Sequence, residues 1–340
     1  MITSNKCANC GGELIFDVES QDLKCNHCSS LVNIEDKEKE LEKKLLTPDS
    51  TITLSKTEYV QFLCNTCSRH HLSSSNTPLL RCPSCGDNNF TKSNKVEYTP
   101  DGIVSFKITK QTAINRLYSW LTKRPFAPNN LKKQARAGSL VGVYSPSFLY
   151  DFDCVTKYSG VGVNSYTNKD GKIRHTREHF SKSRKDNYRN YVESASSTIS
   201  SNRLRSLGRF NVDKILCYSP EYLYGWIGEG VNTTLQQNSS EMQQDVAFDI
   251  KNSVRASLPY DSIENFSCNT TFSPIQYSYV YLPVYKGTYN YKEKKYNYYV
   301  NGENGKVTGS TPKSPWKIFF AVLGALAVIG GIIYLIVTNT

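Results

Sequence analysis

The 340-residue sequence lacks the motifs of the common nucleotide-dependent and hydrolytic enzymes. Residues 304–307 read NGKV, without the upstream glycine and the following Ser or Thr that a phosphate-binding loop needs. Residues 160–163 read GVGV, without the third glycine of a dinucleotide-binding fingerprint. A His-Glu-x-x-His sequence and a nucleophile elbow are also absent. These absences argue against an ATP-driven motor and a nucleotide cofactor, and they predict that the protein is not an enzyme.

Acidic residues are missing from one long stretch of the chain. The whole protein has 41 Lys and Arg against 30 Asp and Glu, a net charge of +11, but its first 100 residues hold 11 basic and 13 acidic residues. The positive surplus therefore lies in the rest of the chain. This surplus predicts either a solvated basic face or contact with an anionic partner, namely lipid headgroups or nucleic acid. Residues 102–150 contain no Asp or Glu and eight basic residues, which are Lys107, Lys110, Arg116, Lys123, Arg124, Lys132, Lys133 and Arg136.

A secretory signal is not apparent, since the first six residues, MITSNK, contain no long apolar run and lead directly to a cysteine. The cysteines are therefore expected in a reducing compartment, where disulfides are rare. Eight of the 11 cysteines form four Cys-x-x-Cys pairs, arranged as two sets of four that repeat 57 positions apart. The first set is Cys7, Cys10, Cys25 and Cys28, and the second set is Cys64, Cys67, Cys82 and Cys85.

This spacing predicts two zinc ribbons, each with a four-cysteine site. Two Cys-x-x-Cys turns joined by a short β-hairpin supply four thiolates at about 2.3 Å from a tetrahedral Zn²⁺. Such a site leaves no position for water or substrate, so both ions are predicted to be structural. Iron–sulfur clusters use other cysteine spacings. We interpret His70 and His71, which follow Cys67, as ordinary surface residues because each site already has four ligands.

The predicted fold class is two small zinc ribbons followed by an α+β domain and a single C-terminal transmembrane helix. The ribbons are predicted at residues 1–33 and 57–92, with a charged linker at residues 34–56 that carries a short helix over residues 34–46. A basic α+β domain is predicted at residues 102–312. Within it we expect a helix at 106–121 capped by Thr109 and a hairpin turn at 168–171 inside an exposed arm. We also expect a mainly helical stretch at 218–258 that is interrupted at Gly228 and Gly230. Strands are predicted at 141–156, 266–272, 277–289, 296–300 and 306–309.

The longest hydrophobic run, residues 318–337, contains twenty residues without a charge. A helix of this length rises ~1.5 Å per residue and spans roughly 30 Å, the thickness of the hydrocarbon core of a bilayer. Trp316 and Tyr334 are residue types that favour the membrane interface. Lys313 and Lys317 precede the run and no basic residue follows it. The positive-inside rule therefore predicts a tail-anchored, single-pass protein with its N-terminus and bulk in the cytoplasm.

Several segments resemble a known family. Besides the pairs Cys7/Cys10 and Cys25/Cys28, they are FKITK at 106–110, GVYSPSFLYDFD at 142–153, LPVY at 282–285 and YYVNGENGKVTG at 298–309, together with the terminal span. They are similar to bacterial membrane proteins of uncharacterised role with transcription-factor-IIB-type zinc ribbons, which are often labelled relatives of replication-restart helicases. The resemblance covers most of the chain, with a looser match over residues 172–262. The helicase label conflicts with the missing phosphate-binding loop.

These observations predict a membrane-anchored cytoplasmic binding or scaffold protein. The ribbons have no basic surplus, so we expect them to contact a protein partner, while the basic domain contacts lipid headgroups or nucleic acid. The alternative hypothesis is an enzyme or enzyme subunit that acts on nucleic acid at the membrane.

Overall fold

In the computed structural model, the described residues are 5–34, 41–50, 59–74, 82, 85, 87–93, 99–129, 131, 140–291 and 294–338. They form a small N-terminal sheet, a large sheet that contains most of the core, and helices on and beside the large sheet. This arrangement confirms the predicted outline of two four-cysteine groups, a sheet-rich α+β body and one apolar C-terminal helix.

The small sheet belongs to the first cysteine unit, which we define as residues 5–34. Its antiparallel strands are β1 (Leu14–Phe16), β2 (Leu23–Cys25) and β3 (Leu31–Val32). Leu14 lies opposite Cys25 in the register of β1 and β2, and Phe16 lies opposite Leu23. Alternate residues of both strands are buried, as expected of a short hairpin with one face on a core.

The second cysteine unit, the described part of residues 59–93, belongs to the large sheet. Its strands are β5 (Tyr59–Cys64), β6 (His70–Ser74) and β7 (Phe90–Ser93), with β5 between the other two. Strand β6 also pairs with β11 (Ile227–Glu229), which runs parallel to the long strand β9 (Val141–Thr167). The second unit is thus hydrogen-bonded into the same sheet as the body.

The centre of the large sheet is the pairing of β9 with β13 (Gln276–Tyr291). The sheet continues through β14 (Lys294–Asn301) to β15 (Val307–Gly309), and the short strands β4 (Lys44–Leu45) and β8 (Gly102–Ile103) also pair with β13. The largest fully buried side chains among the described residues are tyrosines, namely Tyr144, Tyr150, Tyr222, Tyr279, Tyr281 and Tyr285.

A three-stranded arm extends from this sheet. Strand β9 continues beyond its pairing with β13 and is flanked there by β10 (Ile173–Ser194) and β12 (Ser262–Phe272). The predicted hairpin turn joins β9 to β10: Asn168 Oδ1 accepts hydrogen bonds from the N–H groups of Asp170 and Lys172, and Gly171 adopts φ +75°. The positive φ explains why glycine occupies that position.

Four α-helices lie fully within the described residues: α1 (Lys110–Thr122), α2 (Ser201–Ser206), α3 (Leu235–Ser257) and α4 (Pro315–Thr338). Thr109 caps α1 as predicted, because its Oγ1 accepts a hydrogen bond from Thr112 N–H at 3.3 Å. Helix α1 begins four residues later than predicted because Phe106 is in the core, stacked on Trp226 with ring centroids 4.1 Å apart. Helix α4 has the length and apolar composition needed to cross a membrane, and none of its apolar window is buried in the protein.

One sequence-based expectation of secondary structure is wrong. The charged linker was expected to be helical over 34–46, but Lys44–Leu45 is strand β4 and residues 41–43 are irregular, whereas residues 35–40 lie outside the described residues. Leu46 N–H donates to Ile275 O at 2.8 Å, so pairing with the sheet outweighs the local helical pattern. The stretch 218–258 is mainly helical as predicted, with a 3-10 turn at Pro220–Leu223 and helix α3, and strand β11 lies at the expected interruption.

Candidate metal centres

The first cysteine unit gathers Cys7, Cys10, Cys25 and Cys28, with all four sulfur atoms within 4.8 Å of one another. The Sγ–Sγ distances are 3.7 Å for Cys7 and Cys28, 3.5 Å for Cys10 and Cys25, and 3.3 Å for Cys10 and Cys28. Four sulfurs at 2.3 Å from a tetrahedral ion are about 3.8 Å apart, whereas disulfide sulfurs are about 2.05 Å apart. The cluster therefore fits a metal ion bound by four thiolates.

The second cysteine unit gathers Cys64, Cys67, Cys82 and Cys85 within the same limit. The Sγ–Sγ distance is 3.5 Å for Cys64 and Cys85 and 3.7 Å for Cys67 and Cys82. The structure thus brings together all eight predicted ligands in the two predicted sets of four, and both sets are positioned to bind metal ions.

The backbone explains why each Cys-x-x-Cys pair points its sulfurs inward. In all four pairs, the N–H of the first cysteine donates to the carbonyl five residues later, on Gly12, Ser30, Arg69 and Asp87 respectively, at 2.7–2.9 Å. In three pairs, the residue after the second cysteine donates to the carbonyl of the first and has a positive φ: 72° at Gly11, 59° at Ser29 and 55° at Ser68. The tight turn is therefore the repeated element, and it places both cysteines of a pair on one side.

In the first unit, hydrogen bonds from backbone N–H groups and a hydroxyl favour the thiolate form of two of the four cysteines, Cys25 and Cys28. The hydroxyl and N–H of Ser30 lower the pKa of Cys28 to about 5, and the Ser30 Oγ lies 3.1 Å from the Cys28 sulfur. The backbone N–H groups of Cys28 and His27 lower the pKa of Cys25. A thiol with a lowered pKa gives up its proton to a metal more readily.

His71 corrects the interpretation of the histidines as surface residues. Its side chain is 0% exposed, and its Nε2 lies 3.2 Å from the sulfur of Cys82. Burial lowers the pKa of His71 to about 4, against an opposing effect of Glu229, so the imidazole is neutral. A neutral ring facing a thiolate donates through Nε2–H, which leaves Nδ1 as the acceptor, without a hydrogen-bond partner in the described structure. His71 therefore contacts the second cluster from outside its four sulfurs.

A buried ion pair lies behind His71. Lys286 Nζ is 2.5 Å from Glu229 Oε1, with side chains 4% and 2% exposed, and Glu229 is opposite His71 in the pairing of β11 and β6. The hydroxyls of Ser196 and Thr198 also donate to the Glu229 carboxylate, each at 2.7 Å. Burial alone would raise the pKa of Glu229, but Lys286 and these hydroxyls lower it. The pattern of the sequence did not reveal this pair, because its partners are 57 residues apart.

The first cysteine unit is attached to the segment that precedes β11. Phe16 N–H donates to Tyr224 O at 2.9 Å, and Trp226 Nε1–H donates to Phe16 O at 3.0 Å. The Phe16 ring also meets the Tyr222 ring edge-on, with centroids 5.2 Å apart. Both cysteine units therefore contact the α+β body through ordered hydrogen bonds.

The arm has one covered face and one open face. Helix α3 covers one face, where Arg184 donates to Ser253 Oγ at 3.0 Å and Tyr158, Phe180 and Cys268 lie. On the open face, three adjacent cross-strand rows of exposed or half-exposed side chains contain no aromatic or acidic residue, and the next row carries the exposed Asp153. The three rows are Ser181–Ser159–Ser267, Ser183–Lys157–Asn269 and Lys185–Val155–Thr271. Residues 157–189 hold nine basic and three acidic residues, so the arm is strongly positive.

The chain is similar to the uncharacterised protein YdjG of Bacillus subtilis (strain 168), with 25% identity over 323 residues that cover 94% of this chain and 92% of that protein. The similarity therefore extends over nearly the whole of both proteins. No protein-family model matches the chain. No solved structure matches it either.

Proposed function

We propose that this protein is a single-pass, membrane-anchored binding or scaffold protein of the cytoplasm, stabilised by two zinc ions and without catalytic activity. The observation that carries the proposal is the combination of two closed four-sulfur clusters with one unburied apolar helix, α4. The four-sulfur clusters give rigidity without an open coordination position, and helix α4 gives attachment to a bilayer.

Zinc is the metal that fits these clusters best. Four thiolates in near-tetrahedral arrangement are the donor set of structural zinc sites, and thiolates persist as ligands in a reducing compartment. In the proposed holo-protein, Cys7, Cys10, Cys25 and Cys28 hold one ion, and the matching set in the second unit holds the other. The ions cross-link turns that are too small to fold by apolar burial alone.

The proposed orientation places the body on the cytoplasmic side. Lys313 and Lys317 lie at the N-terminal end of α4. Cytoplasmic flanks of membrane helices are enriched in Lys and Arg. The same orientation keeps the eight clustered cysteines reduced.

Two surfaces are proposed to bind partners. The open face of the arm carries Lys157 and Lys185, and the Asp153 carboxylate in the adjoining row is paired with Arg189 at 3.0 Å. The three rows contain no aromatic ring, which argues against base stacking. An anionic partner, either nucleic acid or lipid headgroups, would therefore be held there by charge. On the first cysteine unit, Leu31 is 56% exposed on β3, the outer strand of the small sheet, which supports a contact with a protein.

The charge-based contact is tested with the full chain in discs of neutral lipid. Fluorescence anisotropy measures binding of duplex DNA and RNA at increasing salt, and flotation measures binding to anionic vesicles. For a nucleic-acid partner, we expect Lys157→Gln with Lys185→Gln to reduce the salt slope by about 1.8, since each phosphate contact contributes about 0.9. Lys251→Gln, an exposed lysine on α3, is the control.

The outcomes separate the two partners. Binding to anionic vesicles without a response to nucleic acid at low salt would assign lipid. Binding to neither, or equal binding by the double variant and the control, would refute an anionic partner of the arm. Turnover of ATP or nucleic acid that is lost on substitution of a single residue would refute the non-enzymatic function.

A further inference from the structure

The loop that follows α1 is hydrogen-bonded to the start of the apolar helix α4. Ser314 N–H donates to Phe126 O at 2.8 Å. Lys317 Nζ donates to Ala127 O at 2.8 Å and to Asn129 Oδ1 at 2.9 Å. The juxtamembrane loop, defined as residues 123–129, therefore lies beside the first turn of α4 and cannot move independently of it.

This attachment fixes the depth of the loop relative to a bilayer. Trp316 and Lys317 begin the helix, and residues of these types lie at the boundary between headgroups and hydrocarbon. Because Phe126 is hydrogen-bonded to the residue just before α4, it lies within one helical turn of that boundary. A bilayer that surrounds α4 would reach the loop without any rearrangement of the protein.

The side chains of the loop suit such a boundary. The Phe126 ring is 38% exposed and the Trp316 ring is 71% exposed, although large aromatic side chains elsewhere in the body are mostly buried. Lys123 is exposed, and the guanidinium of Arg124 lies 3.3 Å from the centre of the Trp120 ring. Residues 102–150 contain no carboxylate to neutralise these cations. Exposed aromatic and basic groups together favour an anionic membrane surface.

We propose that the juxtamembrane loop is a second membrane contact, with Phe126 inserted at the headgroup boundary and Lys123 beside anionic lipid phosphates. The proposal rests on the proposed function, because it requires α4 to span the membrane. A soluble protein partner is disfavoured at this site, since it would have to fit between the loop and the bilayer that surrounds the adjoining helix. The loop thereby sets the tilt of the whole body on the membrane.

The test uses photocrosslinking of the full chain in vesicles of phosphatidylcholine and phosphatidylglycerol. The photoreactive residue p-benzoylphenylalanine replaces Phe126 in one variant and Phe248 in the matched control, because Phe248 is 64% exposed on α3. Mass spectrometry measures the yield of protein–lipid adduct after illumination. We expect an adduct at position 126 and none above background at position 248. Lys123→Gln should lower the adduct with phosphatidylglycerol about fivefold and leave that with neutral lipid unchanged, since one basic group near an anionic surface contributes about 1 kcal/mol.

Alkaline extraction of the same vesicles distinguishes a failure of the membrane anchor α4 from a failure of the loop contact. If the protein resists extraction but gives equal adduct at positions 126 and 248, or none at position 126, the loop contact is refuted and the membrane anchor is retained. If the protein is extracted at alkaline pH, the membrane anchor is refuted, and the loop contact is refuted with it. Adduct at position 126 that does not respond to Lys123→Gln overturns the role of charge and supports insertion of the ring alone.

Discussion

The buried ion pair of Lys286 and Glu229 allows a specific prediction about the free energy of unfolding. Replacing Lys286 with Met keeps the length of the side chain but leaves the Glu229 carboxylate 2% exposed without its cation. Removing one partner of a buried ion pair costs about 3–5 kcal/mol, because the other charge stays buried and uncompensated. Ser196 and Thr198 still donate to the carboxylate, so we expect a loss near the lower end of that range.

The pH dependence of this loss has a defined sign. In the wild type the pKa of Glu229 is lowered in the folded state, so its stabilising contribution is present at neutral pH and is lost as the pH falls through the folded pKa. Without Lys286, burial raises the pKa of Glu229 instead, and the folded variant takes up a proton as the pH falls. The difference in stability between wild type and Lys286→Met should therefore shrink from about pH 8 to about pH 5.

Hydrogen exchange of the full chain in detergent micelles measures this difference on peptides from β11 and β13. A loss of about 3 kcal/mol corresponds to exchange about 150-fold faster. The double variant Lys286→Met with Glu229→Gln should recover most of the protection, because no charge stays buried. Arg177→Met, which removes a pair whose side chains are 63% and 49% exposed, is the control and should change stability by less than about 1 kcal/mol. A pH-independent loss, or a double variant no better than the single one, would refute the reasoning.

Further predictions concern the metal clusters and the core. Native mass spectrometry should find two zinc ions per chain, and one ion after Cys25→Ser or after Cys82→Ser, since each substitution opens one four-sulfur site. His71→Phe should speed transfer of zinc from the second cluster to a chelator about tenfold, with the first cluster as internal control, because second-sphere partners tune metal affinity. Gly142→Ala would place a Cβ 2.2 Å from the Trp226 ring, so we expect a loss of about 1–3 kcal/mol in unfolding and a changed tryptophan emission.

The features that were predictable from the sequence depend on residues close together in the chain. The knuckle turns need only the Cys-x-x-Cys spacing, and the arm turn at 168–171 needs only its Asn and Gly. Helix α1 follows from a capping threonine and from Ala113, Leu117 and Leu121, which recur every four residues on its buried face. Helix α4 follows from length and composition alone. In each of these elements the local signal and the tertiary environment agree.

The features that the sequence did not predict depend on contacts between residues that lie far apart in the chain. Lys44–Leu45 carries a helical charge pattern, but Lys44 pairs with Asp101 at 2.6 Å and the strand adds to β13. His71 was interpreted as a surface residue because the four-cysteine rule counts metal ligands and takes no account of the side chains that surround the sulfur atoms. Its burial follows from the pairing of β6 with β11, whose residues lie more than 150 positions away. Strand pairing over such distances leaves no local pattern that a single sequence can reveal.

Both cysteine units contact the same short segment of the body, residues 222–229. At its start, Tyr222, Tyr224 and Trp226 contact Phe16 of the first unit, and at its end Gly228 and Glu229 pair with Leu72 and His71 of the second. The same segment carries Glu229 of the buried ion pair and places Trp226 against Phe106 of the central core. Loss of metal from either unit would therefore loosen the support of the same core residues. A metal ion in either cluster would therefore support the same part of the α+β body.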